Sequence, residues 1–185
     1  MKPKVYISGP QYLLPNAEEY KNEQLKLCQS YGFEGKHPLD IHVDFSANGP
    51  LIAKEIYEAL QKMMQNSDVI VADCNPLRGA LMDDGAAYEL GYCNALRKPS
   101  YGYVDNLDSL SKSIIRHFSL EENDNGDYLD QHGYLVGDDF GTTINLMMQN
   151  GMSESGGRLV EGDFENCLRS IRDDIDSNKL ILKNR

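Results

Sequence analysis

Short apolar runs along the chain alternate with longer segments in which apolar residues recur at the spacing of a helix. Val5 to Ser8, Asp68 to Ala72 and Pro99 to Val104 are such runs, and each ends at a turn or an acidic residue. Runs rich in β-branched and aromatic residues are typical of buried strands, so these predict the first, third and fourth strands of a sheet. A second strand is predicted at His37 to Asp40.

Helices are predicted between the strands, wherever apolar residues follow the helical period. They cover Ala17 to Tyr31, Leu51 to Gln65, Ala86 to Arg97, Thr142 to Asn150 and Asp163 to Ser177. This alternation indicates an α/β fold, with a parallel sheet of about five strands, helices on both faces and right-handed crossovers.

A chain of 185 residues is long enough for one domain with a substantial core, so residues 1–185 are predicted to form a single domain. No stretch approaches the roughly 20 apolar residues of a membrane span, and no signal-peptide core follows Met1. The four cysteines are widely separated, without a Cys-x-x-Cys spacing, which favours reduced thiols. We therefore expect a soluble protein of the cytoplasm with no membrane partner.

The formal charge of −11 argues against nucleic acid as a partner, because contacts to a phosphate backbone depend on clustered lysine and arginine. A small neutral ligand carries no such penalty. The histidines show no metal-ligand pairing with the cysteines, and His37 and His42 lie five residues apart around Pro38, which is poor ligand geometry. We predict no metal and no cofactor.

The third strand runs into a segment that combines carboxylates with small residues. In an open α/β sheet ligands bind at the carboxyl ends of strands, so Asp73, Arg78, Asp83 and Glu89 are expected around one crevice. For Asp83 and Asp84 the alternative is ordinary capping of the next helix, since an acid there complements the helix dipole. Glu89 differs because nearly every neighbouring helix position is small or apolar. Small residues beside an acid indicate close approach of a ligand.

The segment Glu121 to Asp139 is acidic, rich in Asn, Asp and Gly, and long for a connection. It is predicted to be either a mobile loop or a segment ordered by a partner.

Taken together, the chain resembles the nucleoside 2-deoxyribosyltransferase family, which implies a flavodoxin-like (Rossmann-like) fold. The resemblance covers most of the chain. It rests on VYISGP at the first strand, SDVIVADCNPLRG at the third, DDGAAYELGYCNALRKP on the following helix, and DDFGTTINLMM and GDFENCL near the carboxyl end. The implied enzyme moves a 2-deoxyribosyl group between nucleobases, a reaction of nucleotide salvage. Its partners are deoxynucleosides and free nucleobases.

The resemblance also implies roles for particular residues. Glu89 matches the glutamate that attacks the anomeric carbon and becomes a deoxyribosyl ester, Asp83 an aspartate that binds the sugar hydroxyls, and Tyr6 a tyrosine that holds the glutamate. Asn145 matches an asparagine that reaches the 5′-hydroxyl from a neighbouring subunit, which implies a homo-oligomer with shared sites. Met147 matches a methionine beside the nucleophile, although plain core packing is the alternative.

The chain departs from the family pattern at the expected proton donor. Many members have an aspartate eight residues before the acid that opens the third strand, and here that position is Leu60. Protonation of the departing base is then left to Asp40, Asp73 or solvent. A smaller departure is Ala86, where the family usually has threonine.

Two other functions stay open from the sequence. A related 2-deoxynucleoside 5′-monophosphate N-glycosidase would pass the sugar to water, but it needs a phosphate cradle, and the loop from Gly9 to Pro15 offers few free backbone amides. We expect Gly9 to contact a nucleoside instead. The other alternative is a non-catalytic nucleotide-sensing module on the same scaffold. Preference for purines or pyrimidines, transfer against hydrolysis, and oligomer size are not determined by the sequence.

Overall fold

Parallel strands form the centre of the fold. The computed structural model describes residues 2–43, 46, 48–137 and 140–182. The parallel sheet contains β1 (Lys4–Ser8), β2 (Glu34–Lys36), β3 (Val69–Asp73), β4 (Ser100–Val104) and β7 (Leu159–Glu161), in the order β2-β1-β3-β4-β7. β5 (Leu120–Glu122) and β6 (Tyr128–Asp130) form a separate antiparallel hairpin.

Helices cover both faces of this sheet. They are α1 (Ala17–Ser30), α2 (Gly49–Gln65), α3 (Asp84–Ala95), α4 (Leu110–His117), α5 (Leu146–Glu154) and α6 (Phe164–Asp176). One core cluster joins α1 and α6 to the sheet, and the other joins α3 and α5 to its opposite face. The predicted α/β fold with a five-stranded parallel sheet is confirmed.

Alternation along the strands divides the side chains between these two cores. In β3, Val69 and Val71 face α1 and α6, whereas Ile70 and Ala72 face α3. β1 pairs with β3 in parallel register, with Ser8 beside Ala72. Since β2 and β3 lie on opposite sides of β1, the chain changes direction in the sheet between β1 and β3. Ligands bind at such a switch point, beyond the carboxyl ends of the strands.

The predicted position of the second strand is wrong. β2 occupies Glu34–Lys36, and Pro38–Asp40 forms a single 3-10 turn. Pro38 begins that turn, and the Nδ1 atom of His37 accepts a hydrogen bond from the Leu39 amide at 3.1 Å. β2 is a short edge strand with little apolar content, so it shows no buried-strand pattern.

The predicted helix at Thr142 to Asn150 is shifted in the structure. α5 begins after Asn145, whose side chain accepts the Met147 amide, and it continues past Gly151. A Cβ at Gly151 would lie 2.6 Å from the Nδ2 atom of Asn94, so this glycine permits close packing of α3 on α5. Gly151 therefore lies inside α5 and serves the packing of the two helices.

Within the described ranges, no helix is long and apolar enough to cross a membrane. The cysteines are all buried and form no disulfide.

We expect loss of the amino-terminal cap of α6 to destabilise the fold. The Asp163 side chain accepts the Asn166 amide, and the Asn166 side chain accepts the Asp163 amide in return. Asp163→Ala should lower the free energy of unfolding by about 1 kcal/mol, measured by urea denaturation. Asp163→Asn is the matched control and should stay near wild type, because asparagine also caps helices. Equal losses in both variants would contradict the capping role.

Candidate active site

The carboxylate of Glu89 is held at both oxygens by side chains of β1. The Tyr6 hydroxyl donates to Oε1 at 2.6 Å, and the Ser8 hydroxyl donates to Oε2 at 2.5 Å. Tyr6 and Ser8 lie two residues apart on one strand, so strand alternation points both toward α3. Two donors on different oxygens fix the position and the plane of the carboxylate.

The start of α3 determines where Glu89 lies. The helix begins at Asp84, two residues earlier than predicted, and Asp83 is its amino-terminal cap. Glu89 is therefore in the second turn, where the helix dipole contributes little to an anion. The hydroxyl donors and the burial of the side chain govern its charge instead.

Burial raises the pKa of Glu89 above its ordinary value. The hydrogen bonds from Ser8 and Tyr6 act in the opposite direction and favour the ionised form, while the nearby charge of Asp83 raises the pKa further. Burial also raises the pKa of Tyr6, with Glu89 adding to the effect, so the tyrosine remains a neutral donor. The site is thus a shielded carboxylate beside two neutral hydroxyls.

Asp83 has the capping role considered for it from the sequence and keeps one oxygen free of it. Its Oδ2 atom accepts the Ala86 amide at 2.9 Å, as expected of a cap, and the residue is buried. Its Oδ1 atom has no hydrogen-bond partner within the part of the chain that is described. One oxygen therefore orders α3, and the other is available to a ligand hydroxyl.

Asp73 lies on the opposite face of the sheet from Glu89. It follows Val69 and Val71 in the alternation of β3, and its carboxylate accepts hydrogen bonds from Gln11 and from the amide and side chain of Asn75. Burial raises its pKa, and these hydrogen bonds oppose the rise. The structure thus places Asp73 at the same sheet edge as Glu89 but not beside it.

Gly9 has a steric role at this edge. Its φ is 147°, and a Cβ there would lie 2.8 Å from the Asp73 Cβ and 2.5 Å from the Gln11 Oε1. Glycine therefore lets the chain leave β1 close to β3. The following 3-10 turn, Pro10–Leu13, is anchored by Gln11, which also donates to the Tyr103 hydroxyl at 3.3 Å.

Tyr12 extends from this anchored turn toward the site. Its ring is half exposed, and burial followed by the charges of Asp83, Asp84 and Glu89 raises its pKa, while Arg78 lowers it. Tyr12 thus lies near these carboxylates and near the Arg78 guanidinium. Arg78 has a left-handed backbone with φ 54°, an arrangement that costs energy and is concentrated at functional sites.

Asp40 and Leu60 are the two further positions that bear on the proton donor. The Asp40 carboxylate forms an ion pair with Lys21 of α1 at 3.2 Å, and no hydrogen bond links it to Glu89. Leu60 is half buried on α2 and offers no ionisable group. Neither supplies a proton donor within reach of the Glu89 carboxylate in the described structure.

Asn145 and Met147 lie on the other flank of α3. Asn145 lines a cavity of about 550 Å³ together with Asp84, Ala87 and residues of α4, and Glu89 does not line it. Ala87 and Glu89 project in directions about 200° apart on the helix. Met147 is largely exposed, so core packing does not explain it. Asn145 and Glu89 of one chain therefore do not meet in this cavity.

Ser8 and Tyr12 were not singled out by sequence reasoning. The signal for Ser8 was available, because it shares a strand face with Tyr6 and ends the strand at the expected ligand edge. Tyr12 had no comparable signal, since a tyrosine in a proline-bounded loop is ordinarily a surface residue. Among the residues that the structure describes, no group of three or more His, Cys, Asp or Glu could hold a metal.

Residues 5–147 match the model of the nucleoside 2-deoxyribosyltransferase family. The match covers well over half of the chain, so the chain belongs to this family, which is a family of enzymes. A curated relative, the uncharacterized protein C191.05c of Schizosaccharomyces pombe, is 36% identical over 105 residues, which cover 55% of this chain and 50% of that protein. The chain thus spans about half the length of this relative.

Solved structures agree with this assignment. A 2-desoxiribosyltransferase from Leishmania mexicana superposes with a TM-score of 0.68 at 26% identity, covering 92% of this chain and 97% of that one. A conserved protein from Enterococcus faecalis V583 has a TM-score of 0.60 at 18% identity, covering 94% and 99%, and it shows the shared fold alone.

Burial of Glu89 has a consequence for stability that depends on pH. A carboxyl whose pKa is higher in the folded chain binds its proton more readily there, so stability falls as pH rises from the unfolded pKa through the folded one. Glu89→Gln removes this cost. We expect the variant to melt about 2–4 °C above wild type at pH 7, with a smaller difference at acidic pH, by calorimetry.

Glu55→Gln, at an exposed position of α2, is the control and should change the melting temperature little at either pH. A glutamine variant of Glu89 that is less stable than wild type at neutral pH would contradict the role of burial.

Proposed function

We propose that this member of the nucleoside 2-deoxyribosyltransferase family transfers a 2-deoxyribosyl group between nucleobases by double displacement, with Glu89 as the nucleophile. The observation that carries the proposal is the pair of hydrogen bonds from Tyr6 and Ser8 to the two oxygens of a buried carboxylate. This arrangement positions one carboxylate oxygen for attack on a sugar carbon. An acid that only caps a helix or lies in solvent does not require such positioning.

In the first step, a Glu89 oxygen forms a bond to C1′ of the deoxynucleoside. The bond from C1′ to the base nitrogen breaks, and the base leaves with the electron pair and acquires a proton. The product is a deoxyribosyl ester of Glu89 with inverted configuration. In the second step, a nitrogen of the incoming base attacks C1′ and loses its proton, and the carboxylate is released. Two inversions retain the original configuration.

The hydroxyl donors suit both steps. Each carboxylate oxygen has two lone-pair sites, so one donor per oxygen leaves a lone pair for bonding to C1′. The same donors stabilise the carboxylate when the ester breaks in the second step. The raised pKa of Glu89 predicts that transfer declines under acidic conditions, because the protonated carboxyl is a poor nucleophile.

Asp83 is the group best placed to bind the sugar. Its unoccupied Oδ1 can accept a hydrogen bond from a deoxyribose hydroxyl, while its Oδ2 remains bound to the Ala86 amide. A carboxylate crowded beside C2′ leaves little room for a 2′-hydroxyl, which also destabilises the oxocarbenium-like transition state inductively. We therefore infer that the substrates are 2-deoxynucleosides.

The departing base takes its proton from solvent in this proposal. Leu60 cannot donate one, the Asp40 carboxylate is paired with Lys21, and Asp73 lies beyond the sheet from Glu89 with its oxygens occupied. Arg78 and Tyr12 are assigned to the base, since both are exposed and Tyr12 lies near the carboxylates of Asp83 and Glu89. No cofactor is needed for either displacement.

Asn145 acts in the site of a second copy in this proposal. Within one chain, the cavity that Asn145 lines does not include Glu89, whereas the exposed position of Asn145 at the start of α5 allows it to enter another copy. Its neighbour Met147 would enter with it. The working form is then a homo-oligomer with sites shared between copies.

Base exchange tests the reaction directly. Purified protein incubated with deoxyinosine and adenine should produce deoxyadenosine, followed by chromatography, and mass spectrometry of quenched protein should find a deoxyribosyl group on Glu89. Glu89→Ala should lower the exchange rate by roughly 10³-fold or more, because the nucleophile is lost. Adenosine is the control donor and should react far more slowly.

Release of free sugar without exchange would indicate hydrolysis and would contradict transfer. Exchange without an adduct on Glu89 would retain the reaction but reject the covalent mechanism.

Mixing two inactive variants tests the shared site. Glu89→Ala and Asn145→Ala copies, each weakly active alone, should regain activity when mixed, because a mixed pair contains one intact site. Random exchange between dimers should restore about one quarter of the wild-type sites. Mixing two preparations of the same variant is the control. No recovery after confirmed subunit exchange would place Asn145 outside the partner's site.

A further inference from the structure

The two hydroxyls that hold Glu89 come from different depths of the sheet. In the parallel register of β1 and β3, Tyr6 pairs with Ile70, and Ser8 pairs with Ala72. Ser8 therefore lies two residues, or about 6.6 Å, closer to the carboxyl end of β1 than Tyr6 does. It is the last residue of the strand. Ser8 is thus the donor nearer to the sheet edge at which ligands bind in this type of fold.

The two oxygens of the Glu89 carboxylate consequently have different surroundings. Oε1 accepts the Tyr6 hydroxyl, and Tyr6 is fully buried in the core cluster beneath α3. Oε2 accepts the Ser8 hydroxyl at the end of the strand. Glu89 itself keeps part of its surface accessible. The oxygen on the side from which a ligand approaches is therefore Oε2.

We infer that Oε2, the oxygen bound by Ser8, is the one that attacks the sugar, and that Ser8 thereby shortens the lifetime of the deoxyribosyl ester. Tyr6 binds the oxygen that becomes the ester carbonyl. This inference rests on the proposed function at one point, the formation of an ester on Glu89. The two hydroxyls then act on different steps of the reaction.

In the first step Ser8 loses its hydrogen-bond acceptor. Oε2 forms a bond to C1′, the bond from C1′ to the base nitrogen breaks, and the base leaves with the electron pair and takes a proton from solvent. Oε2 is now the bridging oxygen of an ester, which has no negative charge and accepts hydrogen bonds weakly. The Ser8 proton stays on Oγ.

The hydroxyl of Ser8 has no other acceptor ready for it. Ser8 is 1% exposed, and its side chain makes no second hydrogen bond within the described ranges of the chain. A buried donor that loses its acceptor raises the free energy of that state. Ser8 therefore disfavours the ester relative to the free carboxylate.

Tyr6 keeps its hydrogen bond throughout the reaction. When Oε2 becomes the bridging oxygen, Oε1 becomes the carbonyl oxygen of the ester, which is still a good acceptor. The Tyr6 hydroxyl can therefore hold the plane of the Glu89 side chain both before and after the ester forms. Its contribution is similar in both steps.

In the second step the contribution of Ser8 returns. A nitrogen of the incoming base attacks C1′ and loses its proton, and the bond from C1′ to Oε2 breaks with its electron pair left on Oε2. Negative charge develops on the atom that faces the Ser8 hydroxyl. An interaction that is stronger in the transition state than in the preceding state accelerates that step. Ser8 thus promotes release of the sugar from Glu89.

Kinetics of the adduct test this role. Wild type and Ser8→Ala are mixed rapidly with deoxyinosine, quenched, and analysed by mass spectrometry for the adduct on Glu89; adenine is then added and the decay of the adduct is followed. Ser8→Ala should slow the decay by roughly 10-fold, because a hydrogen bond to a developing charge is lost. Formation should change much less, so the fraction of protein present as adduct should rise during turnover.

Two further variants control for general damage to the site. Tyr6→Phe should slow formation and decay by similar factors. Ser8→Thr retains a hydroxyl and should restore the decay rate. Because the Ser8 hydrogen bond also lowers the pKa of Glu89, all rates are compared on the plateau of each pH profile. Equal slowing of both steps by Ser8→Ala would overturn the inference.

Infrared difference spectra of the adduct supply a second measurement, which does not depend on rates. A hydrogen bond to a carbonyl oxygen lowers its stretching frequency. Tyr6→Phe should therefore raise the frequency of the ester carbonyl, whereas Ser8→Ala should leave it in place. The opposite pattern would mean that Tyr6 binds the attacking oxygen, and it would overturn the inference.

These outcomes separate the role of Ser8 from the transfer reaction. Release of free sugar without base exchange would reject the proposed transferase, and slower decay of the adduct to water in Ser8→Ala would still support the role of Ser8. Base exchange through an adduct that decays at the wild-type rate in Ser8→Ala would keep the transferase and reject that role. Exchange without any adduct on Glu89 would also reject it.

Discussion

The placement of one carboxylate beneath two hydroxyls of the first strand is the interaction on which the site depends. Glu89 reaches β1 because α3 starts at Asp84 and packs its Ala86, Leu90 and Cys93 side against the sheet. The alternation of β1 then delivers Tyr6 and Ser8 to the same oxygen pair. This contact forms only if the sheet register, the first residue of α3 and the burial of Glu89 are compatible. Keeping an acid away from water lowers the stability of the fold.

Much of this arrangement could be predicted from the sequence. The strands at Val5, Val69 and Tyr101 have strong patterns, because buried parallel strands are almost uniformly apolar. The elements with weak sequence patterns are short or lie at an edge of the sheet. β2 and β7 contain three residues each, too few for a periodic signal, and the glycine at position 151 suggests a helix end although it serves packing.

The site was predictable as a list of residues more than as a geometry. Tyr6, Asp83 and Glu89 are near one another in the structure, but Asp73 and Asp40 take their partners elsewhere. Which face of a sheet a strand-end residue occupies depends on its exact register, and an acid at a strand end can face either side. Asn145 illustrates another limit, since within one chain it caps α5 and lines a cavity without Glu89, and its proposed action in a second copy cannot be placed from contacts within one chain.

The turn that follows β1 bears on how such a site can change over evolution. Gln11 is fastened to Asp73 and Tyr103, whereas the adjacent Tyr12 projects into the open and contributes nothing to the buried network. In the proposed site, Gln11 anchors the turn and Tyr12 contacts the base, so the two tasks fall to neighbouring residues. During evolution the side chain at position 12 could change, and with it the heterocycle that fits, while the buried residues beneath it stay the same.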